Sequence, residues 1–65
     1  MNVRIRTTLL FARMDAMMLT TADLAEIIGI STKGMQGIIN SGTCSPITLG
    51  KLAKVFGLEP WELML

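Results

Sequence analysis

Polar residues between Thr32 and Asn40 carry the chemical groups that proteins use to read DNA bases. On a helix, the apolar residues Met35 and Ile38 of this segment would face inward. The outward positions are then Thr32, Lys33, Gln36, Gly37 and Asn40. A lysine can donate to guanine O6 and N7, a glutamine can pair with adenine N6 and N7, and a threonine can contact the thymine methyl group. The chemistry fits a major groove, although any solvated helix face can carry such residues.

Two short helices are predicted to position these side chains. Apolar residues recur at helical spacing in two runs, Leu24 with Ile28 and Met35 with Ile38. Thr20 can cap the first run, and Asp23, three residues further on, can complete a capping box and place a negative charge at the positive helix end. The first of the two helices therefore begins near Thr21.

A tight turn is predicted between the two helices. Gly29 can take the left-handed backbone that ends the first helix, and Ser31 can cap the second. Ile30, between them, is expected to enter the core. Ala25 lies where the second helix would cross, and a steep crossing needs a small residue at that point. A bulkier side chain at position 25 should clash.

This pattern resembles the helix-turn-helix of the phage-repressor and Cro-like family of DNA-binding transcriptional regulators. The matching residues are Leu24 with Ala25, Gly29-Ile30-Ser31, Met35, Ile38 and the segment from Ser45 to Leu58. The resemblance covers nearly the whole chain, from Leu9 to Leu63. It implies an all-α fold of the lambda-repressor type, a compact bundle of about five short helices in one domain that reads the major groove with one helix.

The resemblance also implies which residues contact DNA. The helix from about Thr32 to Asn40 would enter the major groove, and the expected contacts are Thr21, Ser31, Thr32, Lys33, Gln36, Gly37 and Asn40. Thr21 stands where many relatives have a glutamine that touches a phosphate. Gly34 and Gly37 each cost a helix about 1 kcal/mol relative to alanine. They also remove side chains where relatives often read bases, so base contacts are expected to be few, or the backbone to approach its neighbours closely.

The remaining elements follow from periodicity and capping. A first helix is expected from about Asn2 to Met18, with a buried stripe of Leu10, Met14 and Met17. An extended arm or edge strand remains an alternative for the first six residues, because apolar and arginine residues alternate there. Most of the six methionines are expected in the core.

A proline and a glycine delimit the next helix. Ser45 and Pro46 predict its start and Gly57 its end, with a buried face of Leu49, Leu52, Ala53 and Phe56. Leu58 should turn back into the core, and a short last helix should begin near Pro60. Lys51 and Lys54 share one helix face, where they could touch phosphates or simply be solvated.

Composition excludes several classes of function. The chain of 65 residues has no histidine, one cysteine and no evident pair of catalytic carboxylates, so we expect no enzyme, no metal site, no cofactor and no small-molecule substrate. Cys44 is interpreted as an exposed loop thiol. No apolar run is long enough to span a membrane, and a cytoplasmic protein is expected. The net charge of +1 is weak for a nucleic-acid binder.

The apolar C-terminus predicts a homodimer. Trp61, Leu63, Met64 and Leu65 exceed what a short last helix can bury, and a single reading helix covers only a few base pairs. The expected partners are therefore double-stranded DNA and a second copy of the chain. The alternative is a helical protein-protein interaction module that uses the same fold without specific DNA binding. The low net charge favours that alternative.

Overall fold

Five helices and two short strands form the protein in a computed structural model that describes residues 1–65. In chain order the elements are β1 (Val3–Arg4), α1 (Thr7–Ala16), α2 (Thr21–Ile28), α3 (Thr32–Ser41), β2 (Thr43–Cys44), α4 (Pro46–Val55) and α5 (Pro60–Leu63). The five helices agree with the expected bundle of about five short helices. The expectation of an all-α chain is wrong in one respect, because β1 and β2 pair as a small antiparallel sheet.

The first six residues are extended, so the expectation of a helix from Asn2 is wrong and the alternative strand is correct. Val3 pairs with Cys44 and Arg4 with Thr43. Burial alternates along this segment, since Val3 is half-buried and Ile5 buried while Arg4 is exposed. A period of two places one face of a strand on the core, and a helix would have turned these residues to several sides.

The chain end lies along the opposite side of this N-terminal segment. The Arg6 N–H donates to the Leu63 carbonyl at 2.8 Å, and the Leu65 N–H donates to the Arg4 carbonyl at 2.9 Å. The Arg6 Nε also donates to the Met64 carbonyl at 2.9 Å. The N-terminal segment therefore lies between β2 and the C-terminal residues, and its backbone groups are bonded on both sides.

The core takes residues from every helix and both ends of the chain. The cluster consists of Ile5, Leu10, Met14, Leu24, Ala25, Ile28, Met35, Cys44, Leu49, Leu52, Phe56 and Leu63. Every residue expected on the buried face of α4 is buried, as are Leu10 and Met14 of α1. Ile30, Ile38 and Leu58 are half-buried and pack against this cluster. No polar or charged side chain is buried, so the core is held by apolar contact.

The expectation that most methionines lie in the core is wrong. Only Met14 and Met35 are buried, while the four others are exposed, namely Met1, Met17, Met18 and Met64. Met17 leaves the expected stripe because α1 ends at Ala16. The chain then reverses at Met18, which has a positive φ of 56°.

The interpretation of Cys44 as an exposed loop thiol is also wrong. Cys44 lies in β2 opposite Val3, and only 3% of its surface is exposed. Burial raises the pKa of the Cys44 thiol, because a charged thiolate is poorly solvated there. The side chain therefore acts as a small apolar residue of the core.

Candidate nucleic-acid interface

Hydrogen bonds fix where α2 begins, as the sequence predicted. The Thr20 hydroxyl accepts the Asp23 N–H at 3.1 Å, and the Asp23 carboxylate accepts the Thr20 N–H at 2.9 Å. Hydrogen bonds from Thr20, first from its backbone and then from its side chain, lower the pKa of Asp23. Thr21, the first residue of α2, is half-buried beside this cap.

The chain turns between α2 and α3 through a left-handed glycine. Gly29 has φ 80° and ψ 33°, a conformation that residues with a Cβ rarely adopt. The Gly29 and Ile30 N–H groups both donate to the Ala25 carbonyl at 2.9 Å. The Ala25 side chain is buried in the core cluster. Ala25 thus has two roles. Its carbonyl accepts the two hydrogen bonds that close the turn, and its small methyl group is buried in the core.

Helix α3 is capped at both ends. The Ser31 hydroxyl accepts the Gly34 N–H at 2.9 Å, which satisfies one of the free donors of the first turn. Gly42 ends the helix with φ 69°, and its N–H donates to the Ile38 carbonyl at 2.8 Å. Gly42 thus ends the helix directly after Ser41.

The outward face of α3 is polar and accessible. The exposed residues at the start and along this face are Ser31, Thr32, Lys33, Gln36, Gly37 and Asn40. Met35 is fully buried, and Ile38 and Ile39 are half-buried against the core. The structure therefore brings together six of the seven candidate contacts, and the seventh, Thr21, lies at the start of the neighbouring helix.

The two glycines inside α3 have different surroundings. A Cβ built on Gly34 would lie 3.1 Å from the Ser31 hydroxyl oxygen, whereas a Cβ on Gly37 would meet no atom within 4 Å. Gly37 therefore opens toward solvent on the candidate reading face. Its lack of a side chain lets another molecule approach the α3 backbone closely at that point.

Positive charge on this face is sparse. Lys33 is the one charged residue of α3. The other two lysines, Lys51 and Lys54, line a separate groove with Ile27 of α2. Any contact of α3 with nucleic acid thus depends mainly on neutral hydrogen-bonding groups, with a single cation beside them.

The C-terminal residues divide between core and surface. Leu63 is fully buried in the chain's own core, so its expected place on an exposed dimer surface is wrong. Trp61 is 70% exposed, and Met64 and Leu65 are also exposed. Leu63 is held in the core because α5 packs against α4 and the Leu63 carbonyl accepts the Arg6 N–H of the N-terminal segment.

Trp61 lines a groove that the sequence did not reveal. The groove has a volume of about 470 Å³ and is lined by Arg6, Leu9, Arg13, Leu58, Trp61 and Glu62. The groove could be recognised only once α1 was placed beside Leu58 and α5. The spacing of Arg6, Leu9 and Arg13 at three and four residues was the available signal.

Two further chemical properties bear on function. No group of three or more histidine, cysteine, aspartate or glutamate side chains is placed to hold a metal ion. None of the helices combines the length and the apolar character needed to cross a lipid bilayer.

Comparison of the chain with models of protein families, with curated proteins and with solved structures finds no match. The likeness to repressors therefore depends on the residues and turns described above.

Proposed function

We propose that the protein is a sequence-specific DNA-binding transcriptional regulator similar to the phage-repressor and Cro-like helix-turn-helix proteins. The observation that carries the proposal is the unit of α2, the Gly29 turn and α3, whose outer face is polar while Met35 anchors its inner face. A short helix held across another helix, with its polar side outward, has the dimensions that fit a major groove.

Lys33 and Gln36 supply the strongest base-reading chemistry on α3. Both are exposed, and they lie three residues apart on one helix face. Lys33 would donate to guanine O6 and N7, and Gln36 would pair with adenine N6 and N7. Thr32 and Asn40 extend this surface at either end of the helix, and Gly37 would let the backbone come close to the bases.

Thr21 and Ser31 are proposed to contact phosphates. Each lies at the N-terminal end of a helix, where backbone N–H groups and the helix dipole favour an anion. Such contacts set the register of the protein on the duplex without reading sequence. The short Thr21 side chain would reach less far than the glutamine of many relatives.

Operator binding is proposed to require a homodimer. The longest extent of the Cα trace is 26 Å, whereas recognition helices of dimeric regulators contact successive major grooves about 34 Å apart. A net charge of +1 also limits the affinity of one copy for DNA. The exposed Trp61, Met64 and Leu65 provide an apolar surface for a two-fold contact.

The second candidate is a protein-protein interaction module with the same fold. Exposed Trp61 and Leu65, together with the low net charge, favour it. Salt separates the two candidates, because phosphate contacts weaken steeply as salt rises while apolar association does not.

Selection of bound sequences from random duplex DNA tests the proposal. We expect enrichment of a roughly palindromic site whose affinity falls steeply with salt. The absence of any enriched sequence at low salt would contradict DNA recognition and leave the interaction module as the better account.

Two substitutions then test the assignment of α3. Lys33→Ala and Gln36→Ala should each relax the preference at one position of the site, by about 1–3 kcal/mol for a bidentate contact. Lys54→Ala removes the same charge from a different helix and serves as the matched control. Unchanged selectivity in both α3 variants, with folding intact by circular dichroism, would rule out the assignment.

A further inference from the structure

A second accessible surface combines apolar and basic residues of α2 and α4. The α2/α4 groove has a volume of about 370 Å³ and is lined by Ile27, Ile28, Lys51, Lys54 and Val55. Ile27 is 54% exposed at its edge. Ile47, four residues before Lys51 on α4, is 75% exposed and extends the apolar surface along the same helix face.

Ile27 and Ile47 contribute little to the chain's own core. Neither residue belongs to the core cluster. Isoleucine is also a weaker helix former than alanine, leucine, glutamate or lysine, because its branched side chain loses rotamers in a helix. The two side chains leave apolar area exposed near Lys51 and Lys54, and an apolar patch with a polar rim is typical of an interaction surface.

The charge of the groove is uniformly positive. Lys51 and Lys54 are three residues apart on α4, and no carboxylate lines the groove. The acidic residues of α2, Asp23 and Glu26, are exposed, but neither lines the groove. The groove therefore matches a ligand that carries both apolar groups and negative charge.

We propose that the α2/α4 groove binds an acidic amphipathic helix of another protein. The apolar side chains of that helix would cover Ile27 and Val55, and its aspartate or glutamate residues would face Lys51 and Lys54. Helix-in-groove binding of this kind uses apolar anchors at helical spacing with charges at the rim. The surface lies apart from the outer face of α3 and from the Trp61 groove, so the proposal is independent of DNA binding.

A second copy of the chain fits the groove less well. Its acidic apolar segment is α5, which is only four residues long and carries Glu62, with Glu59 just before it. Leu63 of this helix is already buried in the chain's own core, so α5 cannot present a helical row of apolar side chains to the groove. Binding to DNA phosphates would engage the lysines but leave Ile27 and Ile47 in water.

Titration with a designed peptide tests the proposal. The probe is a peptide of about 15 residues with leucine at helical spacing, a few glutamates beside the leucines and alanine elsewhere to favour the helix, and its control has glutamine in place of every glutamate. Backbone amide NMR signals of Ile27, Ile28, Lys51, Lys54 and Val55 should shift with the acidic probe. The glutamine probe should bind about tenfold more weakly at low salt.

Variants of the groove complete the test. Lys51→Glu and Lys54→Glu should each weaken binding of the acidic probe about tenfold, and Ile27→Ser should weaken it while folding remains intact by circular dichroism. Arg4→Glu, an equal change of charge on β1, should leave the affinity unchanged. The proposal would be overturned if the acidic probe shifted signals around Trp61 instead, or if both probes bound equally. It would also be overturned if the signals of the groove moved on dilution of the protein or on addition of DNA alone.

Discussion

The Ser31 hydroxyl accepts a hydrogen bond from the Gly34 N–H at 2.9 Å, and a Cβ at Gly34 would lie 3.1 Å from that same oxygen. The cap of α3 and the absence of a side chain at position 34 are thus coupled. A methyl group there would have to move the capping hydroxyl by a few tenths of an ångström. Gly37 has no such neighbour.

Gly37→Ala should therefore stabilise the protein more than Gly34→Ala. Alanine gains about 1 kcal/mol over glycine in a helix interior. At position 34, a weakened cap offsets part of that gain, since a helix cap is worth about 1 kcal/mol. Urea unfolding of the two variants beside the parent measures the difference. Equal increases in the free energy of unfolding in both variants would mean that the Ser31 hydroxyl can move without weakening the cap.

Ala25→Val and Gly29→Val should both destabilise the fold, for different reasons. Added methyl groups at the buried Ala25 overpack the core, at a cost of about 1–3 kcal/mol. A β-branched residue at Gly29 is strained at φ 80°, by roughly 1–3 kcal/mol.

Ala22→Val is the matched control, because Ala22 is exposed on the same helix. This variant should lose only the small stability difference that follows from the lower helix propensity of valine. Thermal melts measure all three variants. If the Ala25 and Gly29 variants melt at the same temperature as the parent, Ala25 is not tightly packed and the turn at Gly29 does not require a positive φ.

Met18→Gly should stabilise the protein. Met18 has φ 56° and is 87% exposed, so a glycine relieves backbone strain and loses almost no packing. We expect a gain of about 1 kcal/mol, the usual cost of a non-glycine residue in the left-handed region. Met17→Gly is the control, since Met17 has an ordinary φ of −97° and glycine can only add flexibility there. If the Met18 variant loses as much free energy of unfolding as the Met17 variant, the backbone at Met18 is not strained.

Local signals in the sequence predicted α2 and the starts of α3 and α4. Thr20, Ser31, Ser45 and Gly29 act through bonds to residues three or four positions away, so their roles can be read without tertiary structure. The polar face of α3 was predictable for the same reason, because it follows from helical spacing around Met35.

Long-range pairing could not be predicted in the same way. The strand at Val3 exists because Cys44, forty-one positions later, offers a partner, and the chain end closes its other side. The burial of Cys44 and the exposure of most methionines follow from that pairing and from the early end of α1. The Trp61 groove likewise needs α1 and α5 to be placed together before its walls can be recognised.

If the homodimer forms as proposed, substitutions of Trp61 and Leu63 should have different effects. Trp61 is largely exposed, so Trp61→Ala should weaken association and operator affinity while the monomer stays folded. Leu63 is fully buried, so Leu63→Ala should instead cost about 2–5 kcal/mol of folding stability, a large part of what a domain of this size has. Ile47→Ala removes an equally exposed apolar side chain from α4 and should change neither property.

Sedimentation equilibrium at micromolar concentration measures the association of parent and variants, and urea unfolding measures their stability. A dimer built on the exposed C-terminal surface should dissociate in the Trp61 variant and persist in the Ile47 variant. Two-fold symmetry would then present two α3 helices to one face of the duplex. The doubled base contacts would offset the low net charge of +1 in the proposed binding of an operator. A strictly monomeric parent, with operator affinity unaffected by Trp61→Ala, would remove the homodimer and require a single α3 to supply all of the specificity.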